Sequence, residues 1–532
     1  MAQVDRQQAV LSLLQNLRDL DGLKKLFWEE LNYERENKPL SVRQWPDSAK
    51  DALAEDPILF ASGGEDNAFH VVYCRLNSEA LLRGLERPVV NRLMKEHPYA
   101  LFVFSNKSKT YWHLLNVKYD EEIEKRRLIR RITIGPGERL RTASQRVQLL
   151  DLQGLGPELF ALPPMTIQDR CDEAFDVEAV TKEFFEKFAE LYHRVADDIA
   201  EVRGLEKEAG KLAQLILDRM IFLYFIQKKG WLNQQPDYLY DRFLECWRND
   251  PKGSTYYTGV LYPLFLCLSD AAQSFDKLGA VPFLNGGLFE ESVQQSQGDR
   301  IAQARLQIKN RTFKAVFDEL LEHFNFTVTE DTPLDIEVAI DPEMLGKIFE
   351  SLILQLENDP DTDLRQLTGS YYTPRVIVHF MCQEALRHFL TEKLESKDAK
   401  SISTTIHQFL ELPPADQLDD DQVAILANLF SEAQAKALRQ IILRCRVCDP
   451  AVGSGAFPVG MLHEITSAVA RLDVRLHGRE YIRRRNYDYD LKKQVVEACL
   501  YGVDIQDQAV RLCELRLWLS LVVDYQIDGK KP

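Results

Sequence analysis

Residues 447–462 read VCDPAVGSGAFPVGML. An apolar run reaches Asp449-Pro450, a glycine turn follows at Gly453, Ser454 and Gly455, and the next stretch, AFPVGMLHEITSAVARL, has helical spacing. The residues in front, IILRCRVC, read as a strand. A strand that ends in such a turn and feeds a helix forms a ligand-binding corner in a doubly wound α/β sheet. Glycines allow close approach to the backbone, and the first amides of the helix are free to bond. A tight strand-to-helix turn with no ligand has the same pattern, so this loop alone leaves both readings open.

About fifty residues on, ACLYGVDIQDQAVRLCELRLWLSLVV places Asp504 at the end of a second short strand with a helix behind it. An acid there is where a pair of ribose hydroxyls would be bound. The loop has neither the GxGxxG of a pyrophosphate binder nor the lysine of a P-loop. The predicted cofactor therefore carries an adenosine and no phosphate bridge. Upstream lies TGSYYTPRVIVHFMCQEAL, from Thr368 to Leu386, with Thr373 placed to cap a helix and Pro374 at its first position. That helix start leaves the adjacent Tyr371 and Tyr372 unexplained.

In order, G-x-Y-Y-T-P (Gly369 to Pro374), D-P-A-x-G-S-G-x-F (Asp449 to Phe457) and Y-G-V-D-I (Tyr501 to Ile505) resemble the S-adenosylmethionine region of adenine-N6 DNA methyltransferases. The arrangement is similar to that of type I modification subunits and of single-chain type IIG restriction-modification enzymes. FLYFIQKKGWL, FLNGGLF and Leu345 to Glu350 resemble the helical segment of the latter, so the likeness covers roughly residues 170 to 532. It implies S-adenosylmethionine as cofactor and double-stranded DNA as substrate, within restriction-modification or phage defence. By that resemblance Asp449, with the backbone of Ala451, Gly453, Ser454 and Gly455, would hold the methionine part. Asp504 would take the ribose hydroxyls, Ile505 would pack on the adenine, and Tyr372 and Thr373 would close over the methionine end. Tyr371, Pro374, Pro450 and Phe457 complete the motifs. Val452 departs from the Cys or Gly often found at its position.

The resemblance also implies a motif that is absent. Such enzymes hold the extruded adenine with [D/N/S]-P-P-[Y/F/W]. The only Pro-Pro pairs of that general form are Leu-Pro-Pro-Met at 162–165 and Leu-Pro-Pro-Ala at 412–415, both ahead of the cofactor loop. The sequence closes on DYQIDGKKP, after the second strand and its helix. The expectation is the front part of a methyltransferase, with no catalytic residue of its own, completed by a downstream segment or a partner chain.

A length of 532 residues predicts three domains. Residues 1–160 read as α/β, 161–365 as a helical connector, and 366–532 as an incomplete Rossmann-like methyltransferase domain. In the first, FHVVYCRL, ALFVFS and YWHLLNVKY are strand-like. They precede a basic run with Lys125, Arg126, Arg127, Arg130, Arg131, Arg139 and Arg141, read either as a solvated hairpin or as a phosphate-contacting surface. Type IIG enzymes often carry a PD-(D/E)xK nuclease at this end, which needs an acid and an acid-x-Lys on neighbouring strands. Tyr73 and Arg75, or Asn116 and Lys118, stand at those positions, and Glu30, Asp56 or Asp66 would have to supply acids. A degenerate nuclease-like or DNA-holding fold is expected.

Lys plus Arg number 66 against 82 Asp plus Glu, a net charge of −16, which excludes a binder of nucleic acid over its whole surface. Nine scattered cysteines suit reduced thiols, and Cys445 and Cys448 read as small residues on a buried strand, since no second pair stands near to complete a zinc site. No signal peptide or membrane span is visible, and a cytoplasmic location is expected. LAQLILDRMIFLYFIQKKGWL is interrupted by Asp218, Arg219 and Gln227 and reads as a buried helix capped at Gly230. The rival functional reading is a restriction-type nuclease subunit or a non-catalytic DNA-binding or regulatory module.

Overall fold

A computed structural model describes residues 2–119, 127–153, 155, 162–228, 230–270, 272–284, 289, 303–327, 335–341, 344, 373–394, 399–418 and 420–525. Lys125, Arg126, Leu345 to Glu350, Tyr371 and Tyr372 lie outside this set, as does the glycine turn of FLNGGLF. The protein is mixed α/β and divides into two compact units. One comprises Met1–Glu183, Glu322–Phe326 and Asp331–Ile340, the other Phe184–Leu321, Thr327–Glu330 and Asp341–Pro532. Among the described residues no helix is long and apolar enough to cross a membrane.

The first unit is built on a seven-stranded mixed sheet in sequential order. Its strands are β1 (Glu34–Pro39), β2 (Ile58–Gly63), β3 (Phe69–Arg75), β4 (Ala100–Ser105), β5 (Trp112–Tyr119), β6 (Arg127–Ile134) and β7 (Asp335–Glu337). Neighbours are antiparallel except β3 with β4 and β6 with β7. The β3–β4 pair is parallel because helix α1 (Arg83–Leu93) carries the chain back across the sheet. Its Val89, Val90 and Leu93 pack on Val72, Cys74, Phe102, Phe104 and Leu115. The basic run forms one arm of the β5–β6 hairpin, turns at Gly137 with φ +84°, and continues as helix α2 (Leu140–Gln148). The seventh strand comes from a stretch that reads as helical in sequence; three residues, Asp-Ile-Glu, are too few to show a period.

In the second unit the apolar helix α3 (Ala209–Lys228) is buried along most of its length, and Gly230, at φ +74°, ends it as expected. Arg219 is buried over the rings of Phe265 and Phe289, at 4.9 and 5.6 Å, and donates to Gln303 Oε1 at 3.1 Å. The C-terminal portion contains α4 (Arg375–Lys393), α5 (Glu432–Ile442), β8 (Val447–Asp449), α6 (Ala456–His477), α7 (Tyr487–Cys499), β9 (Leu500–Gly502) and α8 (Asp507–Val522).

Three local expectations need correction here. Ile441 and Ile442 belong to α5 and not to a strand, because a Ser431/Gln434 capping box starts a helix that runs through them. Only three residues are left for β8. Pro374 is the N-cap of α4, with an extended ψ of 143° and no side-chain cap, so Thr373 stands outside the helix. Cys445 is buried as read, but Cys448 is exposed.

Candidate functional site

Strands β8 and β9 pair in parallel, with Val447 opposite Leu500, Cys448 opposite Tyr501 and Asp449 opposite Gly502. Two further backbone bonds of 2.9 Å, Val503 N–H to Asp449 O and Val452 N–H to Val503 O, carry the pairing into the loops. An added Cβ at Gly502 would lie 2.8 Å from Val452 Cγ2, so the buried valine fills the space that the glycine leaves.

Within the loop, Asp449 Oδ1 accepts from Ala451 N–H at 3.0 Å, and Val452 O accepts from Gly455 N–H at 2.9 Å. Gly453 and Gly455 have φ of +50° and +87°, where a side chain strains the backbone. A Cβ on Gly455 would also meet Cys513 Sγ at 2.7 Å, whereas one on Gly453 would meet nothing within 4 Å. The loop is therefore tight against α8 at Gly455 and open at Gly453. Gly455 is the N-cap of α6. Among the described residues the amides of Ser454, Ala456 and Phe457 make no hydrogen bond, and together they form an anion-attracting helix start.

The structure joins the loop directly to the second acid, a contact that no residue pattern announces. Asp504 Oδ2 accepts from Gly453 N–H at 2.8 Å, and its Oδ1 accepts from Gln506 N–H at 2.9 Å. Asp449 Oδ2 is buried without a partner among the described residues. Beneath the loop, Arg516 of α8 is buried and donates from Nη1 to Ser454 O at 2.9 Å. Ile505 is 89% exposed, so its side chain is available as a flat apolar contact. Pro450 and Ala451 are exposed and Phe457 is half-buried against the core.

Thr373 and Pro374 precede α4, which lies along α6. Cys382 approaches Phe457 O at 3.8 Å, an added Cβ on Gly460 would touch Val378 Cγ1 at 2.6 Å, and His379 Nδ1 stands 2.5 Å from Glu464 Oε1. These contacts run antiparallel, so the start of α4 points away from the first turn of α6. Among the described residues no hydrogen bond joins Thr373 to the loop.

The basic run of the first unit is largely consumed internally. Arg131 is buried and donates to Glu86 Oε2 at 3.1 Å; the other oxygen of Glu86 lies 2.5 Å from His113 Nδ1. Arg131 is thus withdrawn from any phosphate-contacting surface. Arg130 donates to the carbonyls of Asp172 and Phe175, and Arg139 grips Glu322 through Nε and Nη2 at 2.8 and 3.0 Å. Arg141 is exposed, and the side chain of Arg127 lies outside the described residues.

The nuclease-like positions are placed as follows. Ile58 faces Tyr73 across β2 and β3, which brings Glu55 to 3.7 Å from Arg75. Tyr73 is buried with its hydroxyl 2.8 Å from Ser105 Oγ, and Asn116 is buried between Asp172 and Gln168. Among the described residues no group of three or more His, Cys, Asp or Glu is placed to hold a metal ion.

No family model matches the chain. A Methanocaldococcus jannaschii protein assigned by name to the type II restriction enzymes and methyltransferases is 26% identical over 397 residues. The match takes in 66% of this chain, which spans about 30% of the length of that curated relative. Among solved structures, the type IIL restriction-modification enzyme MmeI in complex with DNA aligns with a TM-score of 0.39 and 16% identity, over 66% of this chain and 39% of its own.

Proposed function

We propose that residues 366–532 bind S-adenosylmethionine as the first half of a DNA adenine-N6 methyltransferase in a restriction-modification system. The observation that carries this reading is the joined pair of acids: Asp504 bonded to the Gly453 amide, beside an Asp449 oxygen that is buried and unpartnered among the described residues. A buried carboxylate oxygen left without a donor is costly, and a ligand ammonium or hydroxyl would satisfy it. The residues fit the cofactor in other ways. Asp504 retains lone pairs for ribose hydroxyls, Ile505 offers a surface to the adenine, and the amides of Ser454, Ala456 and Phe457 suit the amino-acid carboxylate. When bound, the cofactor supplies an activated methyl group, and the protein's part is to hold and orient it. The restriction-modification context rests on the similarity to the M. jannaschii protein.

In this proposal residues 161–365 connect, and residues 1–160 hold duplex DNA on a degenerate nuclease-like sheet. The base-holding half comes from outside these 532 residues, in a downstream segment or a partner chain, because neither Pro-Pro pair has the required flanks. Both pairs have structural work instead: Pro163 and Pro164 start a helix, and Pro413 O accepts from Arg471. Calorimetric titration of S-adenosylmethionine into the chain tests the pocket. Micromolar binding that weakens about 100-fold in Asp504→Ala, the loss of two hydrogen bonds to a charged group, supports it. Wild-type affinity in that variant overturns it.

A further inference from the structure

We propose that Arg516 is a positioning residue that sets the glycine loop to receive the amino-acid end of the cofactor; this rests on the S-adenosylmethionine reading above. Arg516 is 2% exposed, and its Nε has no partner among the described residues. Among the described residues no carboxylate lies within 4.0 Å of it, and its one recorded bond is to Ser454 O at 2.9 Å. An arginine stays charged when buried, and a buried charge without a counter-ion is retained only where something offsets it. The offset lies around Cys513, the residue that limits Gly455. Burial pushes the Cys513 thiol up to about 11, Arg516 pulls it down, and Glu514, Asp449 and Asp504 push it further up, so the guanidinium shares this region with Glu514 and the two loop acids.

The bond also fixes the direction of a peptide. With the Ser454 carbonyl turned inward to the guanidinium, the planar peptide sends the Gly455 N–H the opposite way, to Val452 O. The first amides of α6, at Ala456 and Phe457, are then left without a partner among the described residues. Without Arg516, the Ser454 carbonyl loses its donor, and the peptide is free to swing its oxygen into the space where a carboxylate would sit. The adenosine end is held elsewhere, by Asp504 and Ile505, and does not depend on this peptide.

Two ligands separate positioning from simple loss of fold. S-adenosylmethionine carries the amino acid, whereas 5′-methylthioadenosine keeps the adenosine and lacks it. Dissociation constants for both are measured on the full chain as wild type, Arg516→Met and Arg516→Lys. The expected result is a 10- to 100-fold weakening of S-adenosylmethionine in Arg516→Met, roughly what loss of a charged hydrogen bond gives, with methylthioadenosine within about twofold. Arg516→Lys, which keeps the charge and one donor, should recover part of the loss and carries the same comparison if the methionine variant does not fold. Equal weakening of both ligands, or of neither, overturns the proposal while leaving the cofactor reading intact. A wild-type chain that binds neither ligand overturns both.

Discussion

The basic run of the first unit and the glycine loop of the second are opposite cases of polar residues held in place. In the run, Arg130, Arg131 and Arg139 point at carbonyls and carboxylates of their own unit, and most of their hydrogen-bonding capacity serves cohesion, although Nε of Arg130 finds no partner among the described residues. In the loop, capacity is left over: a carboxylate oxygen of Asp449, the amides of Ser454, Ala456 and Phe457 and a nitrogen of Arg516 have no partner among the described residues. Charge counted along a sequence therefore says little about where a ligand binds. Unspent valence held rigidly by a backbone says more, because leaving a buried polar group unsatisfied costs stability and calls for an explanation.

The sharpest way to break this contrast is to remove the anchor of the spent region. Glu86→Ala strands a buried Arg131 and should lower the stability of the first unit by about 3–5 kcal/mol, read as a downward shift of its calorimetric transition. The same carboxylate sets a pH dependence. Burial pushes Glu86 up, but His113 and Arg131 outweigh it and hold the carboxyl below its ordinary value. Its stabilisation is present above the usual carboxylate range and is lost as the pH falls through the lowered value, so acid should melt the wild-type first unit but shift Glu86→Gln less.

Gly455→Ala attacks the unspent region. The left-handed φ and the 2.7 Å approach to Cys513 should cost about 1–3 kcal/mol and weaken S-adenosylmethionine at least tenfold by titration. Smaller still, Arg139→Ala should cost about 1 kcal/mol and leave the salt dependence of duplex DNA binding unchanged. A lowered slope in Arg139→Ala would mean that the run is not spent after all. The smallest effect is expected at Asp488, which lines a cavity of about 660 Å³ among α6, α7 and α8. Burial and neighbouring Asp524 push its carboxyl up to about 6. Protonated Asp488 is the favoured folded form, so this contribution is lost as pH rises through 6. Asp488→Asn should raise the melting temperature of the second unit at pH 8 and not at pH 3, and only slightly, because the residue stands at the open wall of the cavity, where solvent offsets much of the effect of its partial burial.

The sheet of the first unit was legible because β3, β4 and β5 are long, apolar and β-rich, and α3 because its apolar run is long and ends in glycine. The glycine loop and Asp504 were legible from residue types that only a tight, ligand-facing turn requires. What could not be read depends on partners far along the chain. Arg131 looks like Arg141 until Glu86 is known to stand beneath it, and β7 is a strand only because β6 offers it an edge. Arg516 sits in an amphipathic stretch, LCELRLWLSL, as one more charged residue, and nothing local marks it as buried against Ser454.

The brevity of β8 and β9 has a consequence for the order of folding. Three residues of one strand meet three of another across a separation of about fifty, and the bond from Gly453 to Asp504 spans 51 positions. So little pairing cannot offset the closure entropy of such a loop by itself. It must wait until α6 and α7 have docked and brought the strands together. We expect the cofactor corner to assemble last and open first, with the amides of Val452, Gly453 and Val503 exchanging hydrogen for deuterium well before those of the α6 interior. Exchange at one common rate would show instead that corner and helices form a single cooperative unit.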